Sequence, residues 1–357
     1  MEDVLEQVTG WSGYTMSLYE IRKPNIDFTP SMYTCRRAEQ KLELDGRVNK
    51  PFWSAADWTK PFVNIEGPEA SKPAKQTRVK MLWDDEHFYF AAELEEDQIW
   101  ATMTERESPL FLENNFEIFI DPDGDTHNYY ELEINALNTI WDLMLTKPYR
   151  DGGVRISAWD IQGLKTAVYI DGEVNKPDAT NRMWSVEVAI PWISLLECAP
   201  GRRLPVSGEY WRVNYCRIRW EAEHKNGVYE KSLNPETGEF YPEDISVWSP
   251  HGLINMHYPD MWGYVVFAES NESEWTQLPV VEQMKWDLRR LYYLQHKQFK
   301  RFGSFAHDLE MLMHLSDEKW SIVPQMQSTE RMFEISAPIP GSSSRLYLRD
   351  DGRVWKE

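Results

Sequence analysis

Phe111-Leu112-Glu113-Asn114-Asn115-Phe116-Glu117-Ile118-Phe119-Ile120-Asp121-Pro122-Asp123-Gly124-Asp125, followed by Tyr129-Tyr130-Glu131-Leu132-Glu133-Ile134-Asn135, is the stretch that decides the fold. Both halves alternate. Phe116, Ile118 and Ile120 share one side of a strand, and Asn115, Glu117 and Phe119 share the other. In the second half Tyr130, Leu132 and Ile134 face one way, and Tyr129, Glu131, Glu133 and Asn135 the other. The intervening Pro-Asp-Gly-Asp suits a hairpin turn. With the apolar sides inward, an open sheet face collects Glu117, Glu131, Glu133 and Asn135. Carboxylates crowded on one face repel, so a sheet tolerates them best with water, a cation or a polyhydroxyl compound between them.

The same alternation recurs outward from this hairpin. Residues 78–83 place Val79, Met81 and Trp83 on one side, Asp84-Asp85-Glu86 turns the chain, and 88–94 alternate again. Further strands are expected at 141–145, 167–170, 184–190, 211–220 and 264–267. Their spacing, with turns rich in Asp, Gly, Pro and Asn, predicts an antiparallel β-sandwich of two packed sheets. The stretch Asp45-Gly46-Arg47-Val48-Asn49-Lys50 shares turn chemistry with Asp171-Gly172-Glu173-Val174-Asn175-Lys176, but the flanks differ, so it is not a repeat.

Composition shifts after Ala268. Ser270-Asn271-Glu272-Ser273 reads as a linker. Val281, Met284, Leu288, Leu291, Tyr292, Gln295, Phe299 and Phe302 then recur at helical spacing, with Gly303 as the stop. A short helix over 305–315 and strands over 331–337 and 346–355 follow, the last broken at Asp350-Asp351-Gly352. The expected organisation is an irregular lead-in over 1–38, a sandwich over 39–270 and a small α+β appendage over 271–357.

The chain of 357 residues carries 17 Trp, 17 Tyr and 14 Phe and a formal charge of −20. Such a surface repels phosphate, which argues against nucleic acid and anionic lipid as partners. Three cysteines, Cys35, Cys198 and Cys216, are too few for a disulfide framework. No apolar run is long enough to span a membrane. The acidic start Met-Glu-Asp-Val-Leu-Glu lacks signal-peptide character, so the expected compartment is cytoplasmic unless an export signal was removed.

Enzyme motifs are not found: no Gly-x-Ser-x-Gly elbow, phosphate loop, dinucleotide fingerprint or His-Glu-x-x-His. Glu117 with Glu131 or Glu133 offers an acid/base pair for glycoside hydrolysis, which needs a separation of about 5 Å for retention or roughly 6.5–9.5 Å for inversion. Asp121, Asp123 and Asp125 alternate as in the start of a calcium loop, but Gly124 comes too early and Leu132 stands where a Glu ligand belongs. A polar hairpin turn is the alternative. Met256 and His257 are haem-ligand types, yet neighbours on a strand point to opposite faces, so a loop pair is expected.

The order and spacing of several pieces resemble the family 9 carbohydrate-binding modules. They are Trp83-Asp84-Asp85-Glu86-His87-Phe88-Tyr89, the two halves of the hairpin, Trp184-Ser185-Val186-Glu187-Val188-Ala189-Ile190-Pro191-Trp192, Trp211-Arg212-Val213-Asn214, Val247-Trp248-Ser249-Pro250 and Asn255-Met256-His257-Tyr258-Pro259-Asp260-Met261-Trp262-Gly263. The resemblance implies the β-sandwich shared with DOMON sugar- and haem-binding domains. It also implies non-catalytic binding of a glycan or oligosaccharide end in carbohydrate catabolism, with no required cofactor. In the family pattern two tryptophans clamp a terminal sugar. Their positions fall on Phe111 and Met256, the hydroxyl-binding Glu on Glu117, an Asn on Asn135 and an Arg on Glu133. The implied binding set is Phe111, Glu117, Glu133, Asn135, Asn255, Met256 and His257, with Trp141, Trp248 or Trp262 as alternative platforms. Calcium at Asp121, Asp123 and Asp125 is an accessory expectation. The two other readings are a glycoside hydrolase, and an assembly protein whose appendage recruits a protein partner.

Overall fold

The computed structural model describes residues 19–269, 275, 277–316 and 319–357. The linker expected at 270–273 lies outside them. The sandwich strands, in chain order, are β1 (Met32–Arg37), β2 (Val63–Asn64), β3 (Thr77–Trp83), β4 (His87–Glu95), β5 (Asn115–Asp121), β6 (Tyr129–Asn135), β7 (Ile140–Leu145) and β8 (Arg155–Ile156). They continue with β9 (Lys165–Asp171), β10 (Met183–Pro191), β11 (Tyr210–Arg219), β12 (Ala222–Lys225), β13 (Val228–Lys231), β14 (Asp244–Val247) and β15 (Gly263–Ala268). The fold is mainly β, as expected.

Two features depart from the expectation of separate antiparallel sheets. Thirteen of these described strands form one continuous curled sheet, in the order β8-β7-β6-β5-β11-β15-β1-β3-β4-β10-β9, with β14 branching from β11 and pairing with β2, while β12 and β13 pair only with each other. The join is β1, which runs parallel to both β15 and β3. It lies inside the stretch read as an irregular lead-in. Its sequence Met-Tyr-Thr-Cys-Arg-Arg is short and ends in charge, which hides the alternation of Tyr33 and Cys35 into the core. The two halves of the sheet nevertheless face each other as layers. Val79, Phe90 and Val186 from one half meet Phe116, Ile118, Leu132 and Trp211 from the other in a single apolar cluster. Burial of large side chains at about 25 cal/mol per Å² is what closes the sheet on itself.

The turn at Asp45-Gly46 is pinned to this body. Gly46 has φ +80°, and a Cβ there would meet the Tyr169 backbone nitrogen at 2.3 Å. Buried Glu187 on β10 accepts hydrogen bonds from the Asp45 and Gly46 amides, Trp53 Nε1 and Lys50 Nζ at 2.7–3.0 Å.

The appendage is α1 (Val280–Phe302), α2 (Leu309–His314) and a four-stranded antiparallel sheet of β16 (Gln325–Ser328), β17 (Phe333–Pro338), β18 (Arg345–Arg349) and β19 (Val354–Lys356). Gly303 stops α1 with φ +74°, its amide donating to Phe299 O at 2.8 Å. The helix buries Met284, Leu288, Leu291 and Tyr292 against β17 and β18. Strand β16 was missed because Gln-Met-Gln-Ser is polar and short.

This unit is packed on the sandwich. Leu253, Tyr258 and Met261 enter its apolar cluster. At the junction Asp260 faces two guanidinium groups, pairing with Arg150 Nη2 and lying 2.5 Å from Arg289 Nη1, and it accepts from Tyr293 Oη at 2.9 Å. Arg150 also sits 3.8 Å from the Tyr258 ring centre. These partners hold the Asp260 carboxyl down at about 2 against the upward push of burial. Among the described residues no helix is long and apolar enough to cross a membrane.

Candidate functional site

Strand pairing builds the acidic face. Across β11, β5, β6 and β7 one row reads Cys216, Glu117, Glu133, Trp141, and the next reads Asn214, Phe119, Glu131, Leu143. Asn115 opposes Asn135 at the end of the patch. The sequence therefore placed Glu117, Glu131, Glu133 and Asn135 correctly on one face.

The expectation of an open face is corrected. Glu117 is 1% exposed, Glu133 2%, Glu131 5% and Asn135 0%. Two loops lie over them. One, residues 100–113, contributes Trp100, Met103, Leu110 and Phe111; the other, after β14, contributes Met256 and Trp262. Alternation identifies the side of a strand, but it does not say whether a loop returns over that side. Glu113, buried at 1%, ties the first loop down by accepting from the Thr102 amide and hydroxyl at 2.8 Å and from Asn135 Nδ2 at 2.7 Å.

The polar groups on this face are incompletely partnered. Asn115 Nδ2 donates to Glu117 Oε1 and Glu133 Oε2, both at 3.0 Å. The Phe111 amide also donates to the Glu133 carboxylate. Glu131 lies within hydrogen-bonding reach of Glu133, which two carboxyl groups manage only with a proton between them. Glu117 Oε2, Asn115 Oδ1 and, in the same apolar cluster, Trp100 Nε1 are buried without a hydrogen-bond partner. Besides Asn115, Glu117 has only the weakly donating Cys216 thiol beside it. Burial pushes the Glu117 carboxyl up to about 7. Burial, with the neighbouring carboxylates added, pushes Glu131 and Glu133 well above the usual range. In a native interior such orphaned groups call for an occupant.

Of the other expected site residues, Phe111 reaches the face, its ring 5.8 Å from that of Trp141. Met256 borders the same cluster. Trp141 is the platform candidate at the carboxylates, directly across from Glu133. Trp262 is fully buried, donating to Met256 O, and Trp248 belongs to the main core. Asn135 is consumed in positioning: its amide nitrogen serves Met103 O and Glu113, and its oxygen accepts the Leu137 and Thr139 amides. His257 pairs through Nδ1 with Tyr129 Oη at 3.0 Å, and burial pushes its imidazole down to about 3. Asn255 accepts the His257 amide at 2.9 Å. Both residues shape the second loop. Reasoning from sequence passed over Asn115, although it lies two residues before Glu117 on the same face. It also passed over Tyr149, whose ring meets His257 at 4.6 Å and for which no local signal exists. The acid/base reading pairs Glu117 with Glu131 or Glu133; between Glu117 and Glu133 the Asn115 amide occupies the position a glycosidic bond would need.

Asp121, Asp123 and Asp125 offer oxygens within 4.8 Å of one another. Those oxygens already have work. Asp121 accepts the Gly124 and Thr126 amides at 3.0 Å, and Asp125 accepts the His127 amide at 2.7 Å and Arg353 Nε at 2.8 Å. The turn thus also docks the appendage. A second such acidic group is Glu107, Asp142 and Asp160, with Arg106 contacting all three. Cys35, Cys198 and Cys216 are all free thiols.

Solved structures similar to the chain include a Bacteroides uniformis protein provisionally described as carbohydrate-binding, at 14% identity and TM-score 0.48, covering 67% of this chain and 100% of that one. A family 9 carbohydrate-binding module from Caldicellulosiruptor kristjanssonii is similar in its cellotriose complex (15% identity, TM-score 0.42, covering 70% of this chain and 98% of that one). Its glucose complex is similar too (14% identity, TM-score 0.42, 70% and 99% covered). No curated protein matches the sequence. The family model described as carbohydrate family 9 binding domain-like matches residues 44–206, which include Phe111, the whole β5–β6 hairpin and Trp141 but neither β11 nor the Met256 loop. Over residues 44–206 this chain is thus similar to the carbohydrate family 9 binding domains.

Proposed function

We propose that this protein binds carbohydrate without transforming it, at the acidic face between Phe111, Trp141 and Met256. One observation carries the placement: Glu117 Oε2 and Asn115 Oδ1 are buried acceptors without donors, and sugar hydroxyls are donors. The family likeness of residues 44–206 supports the ligand class. Aromatic and thioether surfaces at the border suit the faces of a sugar ring. Entry requires the 100–113 loop to yield. A single site of this kind binds in the millimolar to micromolar range, about −4 to −8 kcal/mol. A glycan array followed by calorimetry tests the reading, and absence of saturable binding to any glycan overturns it. In a folded Glu117→Ala variant affinity falls by about 1–3 kcal/mol.

Capture needs no cofactor. Calcium at Asp121, Asp123 and Asp125 would be an accessory, supported by their proximity and opposed by their existing hydrogen bonds. A role in glycan catabolism, and a protein partner for the appendage, extend the same reading. The burial of Glu117 favours a second reading, an assembly protein whose site has closed. That reading predicts no glycan binding, and an interaction lost on disrupting the appendage.

A further inference from the structure

Resting on that reading, we infer that the acidic face selects a sugar bearing a protonated primary amine over its neutral and acidic counterparts. Glu117, Glu131 and Glu133 are three carboxyl groups on adjacent rungs of two strands, each at least nine-tenths buried. Among the described residues no cation pairs with any of the three, and burial, with mutual repulsion added at Glu131 and Glu133, favours protons on them. Arg155, the basic side chain that acts on Glu131, lies at the exposed edge with its guanidinium 5.4 Å from the Trp141 ring centre. The face therefore has no buried counter-charge among the described residues, and an ammonium group bound there would favour the ionised carboxylates over the protonated ones.

The unpartnered atoms specify the rest. Glu117 Oε2 and Asn115 Oδ1 are acceptors. An ammonium group has three donors and no acceptor, and its hydrogen bonds to carboxylate are roughly twice as strong as neutral ones. A metal ion meets this need poorly, because the described acidic groups close enough to share one ion lie elsewhere. Trp100 Nε1, an unpartnered donor in the same cluster, needs an acceptor, which a sugar hydroxyl supplies and a bare cation does not. An amino sugar brings both. A uronic acid would set a further carboxylate against the existing three, a like-charge contact that buried sites reject.

The test is calorimetry on the full chain at pH 6.5 with matched pairs: glucosamine and glucose, galactosamine and galactose, mannosamine and mannose, with glucuronate and galacturonate as acids. The expected result is at least tenfold tighter binding of one amine than of its neutral partner, no binding of either acid, and weakening of the amine by added salt. In Glu117→Gln, and independently in Glu131→Gln, the ratio of amine to neutral-sugar affinity falls to less than threefold, whatever affinity both sugars lose in common. Equal binding of amine and neutral sugar, or a preference for an acid, overturns the inference and leaves carbohydrate capture standing. No binding of any of these sugars, nor of any glycan on an array, overturns both.

Discussion

Two of the regions in which this molecule buries carboxylates treat them in opposite ways. At the junction Asp260 is met by Arg150, Arg289 and Tyr293, and its carboxyl is held low at about 2. On the acidic face Glu117, Glu131 and Glu133 have one amide side chain among them, one backbone amide and each other, and all three are pushed upward. Desolvation is common to both. Counter-charge is what differs. The junction is paired by charge and acts as a structural clamp, although Asp260 Oδ1 and Arg150 Nη1 are themselves buried without a hydrogen bond; the face lacks counter-charge, which the proposed ligand would supply.

Removing the completed partner should have the largest effect. Asp260→Ala removes the carboxylate that Arg150 and Arg289 share, leaving Arg150 with Asp151 and Arg289 with the Gly352 carbonyl, and should cost about 3–5 kcal/mol, read by chemical denaturation, with earlier proteolysis of the appendage. A loss below about 1 kcal/mol would erase the contrast between the two regions. The next effect runs the other way. Because the folded-state value of Glu117 lies near 7, above its unfolded 4.5, the folded protein binds more protons in that window. Stability from this group is present below pH 4.5 and is lost as pH rises through 7. Glu117→Gln should therefore gain about 1–3 kcal/mol at pH 8 relative to pH 4 in thermal denaturation. Asp260 has the reverse sign: its contribution is present above 3.8 and disappears as pH falls through about 2. An acid titration of wild type should thus first gain and then lose stability.

Smaller effects sharpen the face alone. Glu113→Gln should cost about 1–2 kcal/mol and speed hydrogen exchange at the Thr102 and Met103 amides, which it anchors. Unchanged exchange there would show that the loop is held by its apolar contacts. Smallest of all is Asp123→Asn, expected to change stability by less than about 0.5 kcal/mol in calcium-free buffer, since among the three hairpin carboxylates Asp123 is the exposed one. A melting-temperature rise with added calcium in wild type but not in this variant would assign the hairpin an ion.

Much of this was legible in the chain. The period of two over 115–121 and 129–135 named the strands, their faces and the row of carboxylates, because side-chain direction in a strand is set locally. Helical spacing and Gly303 gave α1 and its end for the same reason. Three things were decided only in the folded molecule. Strand β1 joins the two halves of the sheet by parallel pairing with segments distant in sequence, which no local pattern encodes. The loops carrying Phe111 and Met256 fold over the glutamates, turning an expected open wall into an interior. Asp260, an unremarked residue of a polar loop, acquires its two arginines from β7's following turn and from α1. Alternation and composition report what each segment prefers to bury; whether a charge ends up paired or orphaned depends on which distant segment arrives opposite it, and that is settled by long-range packing alone.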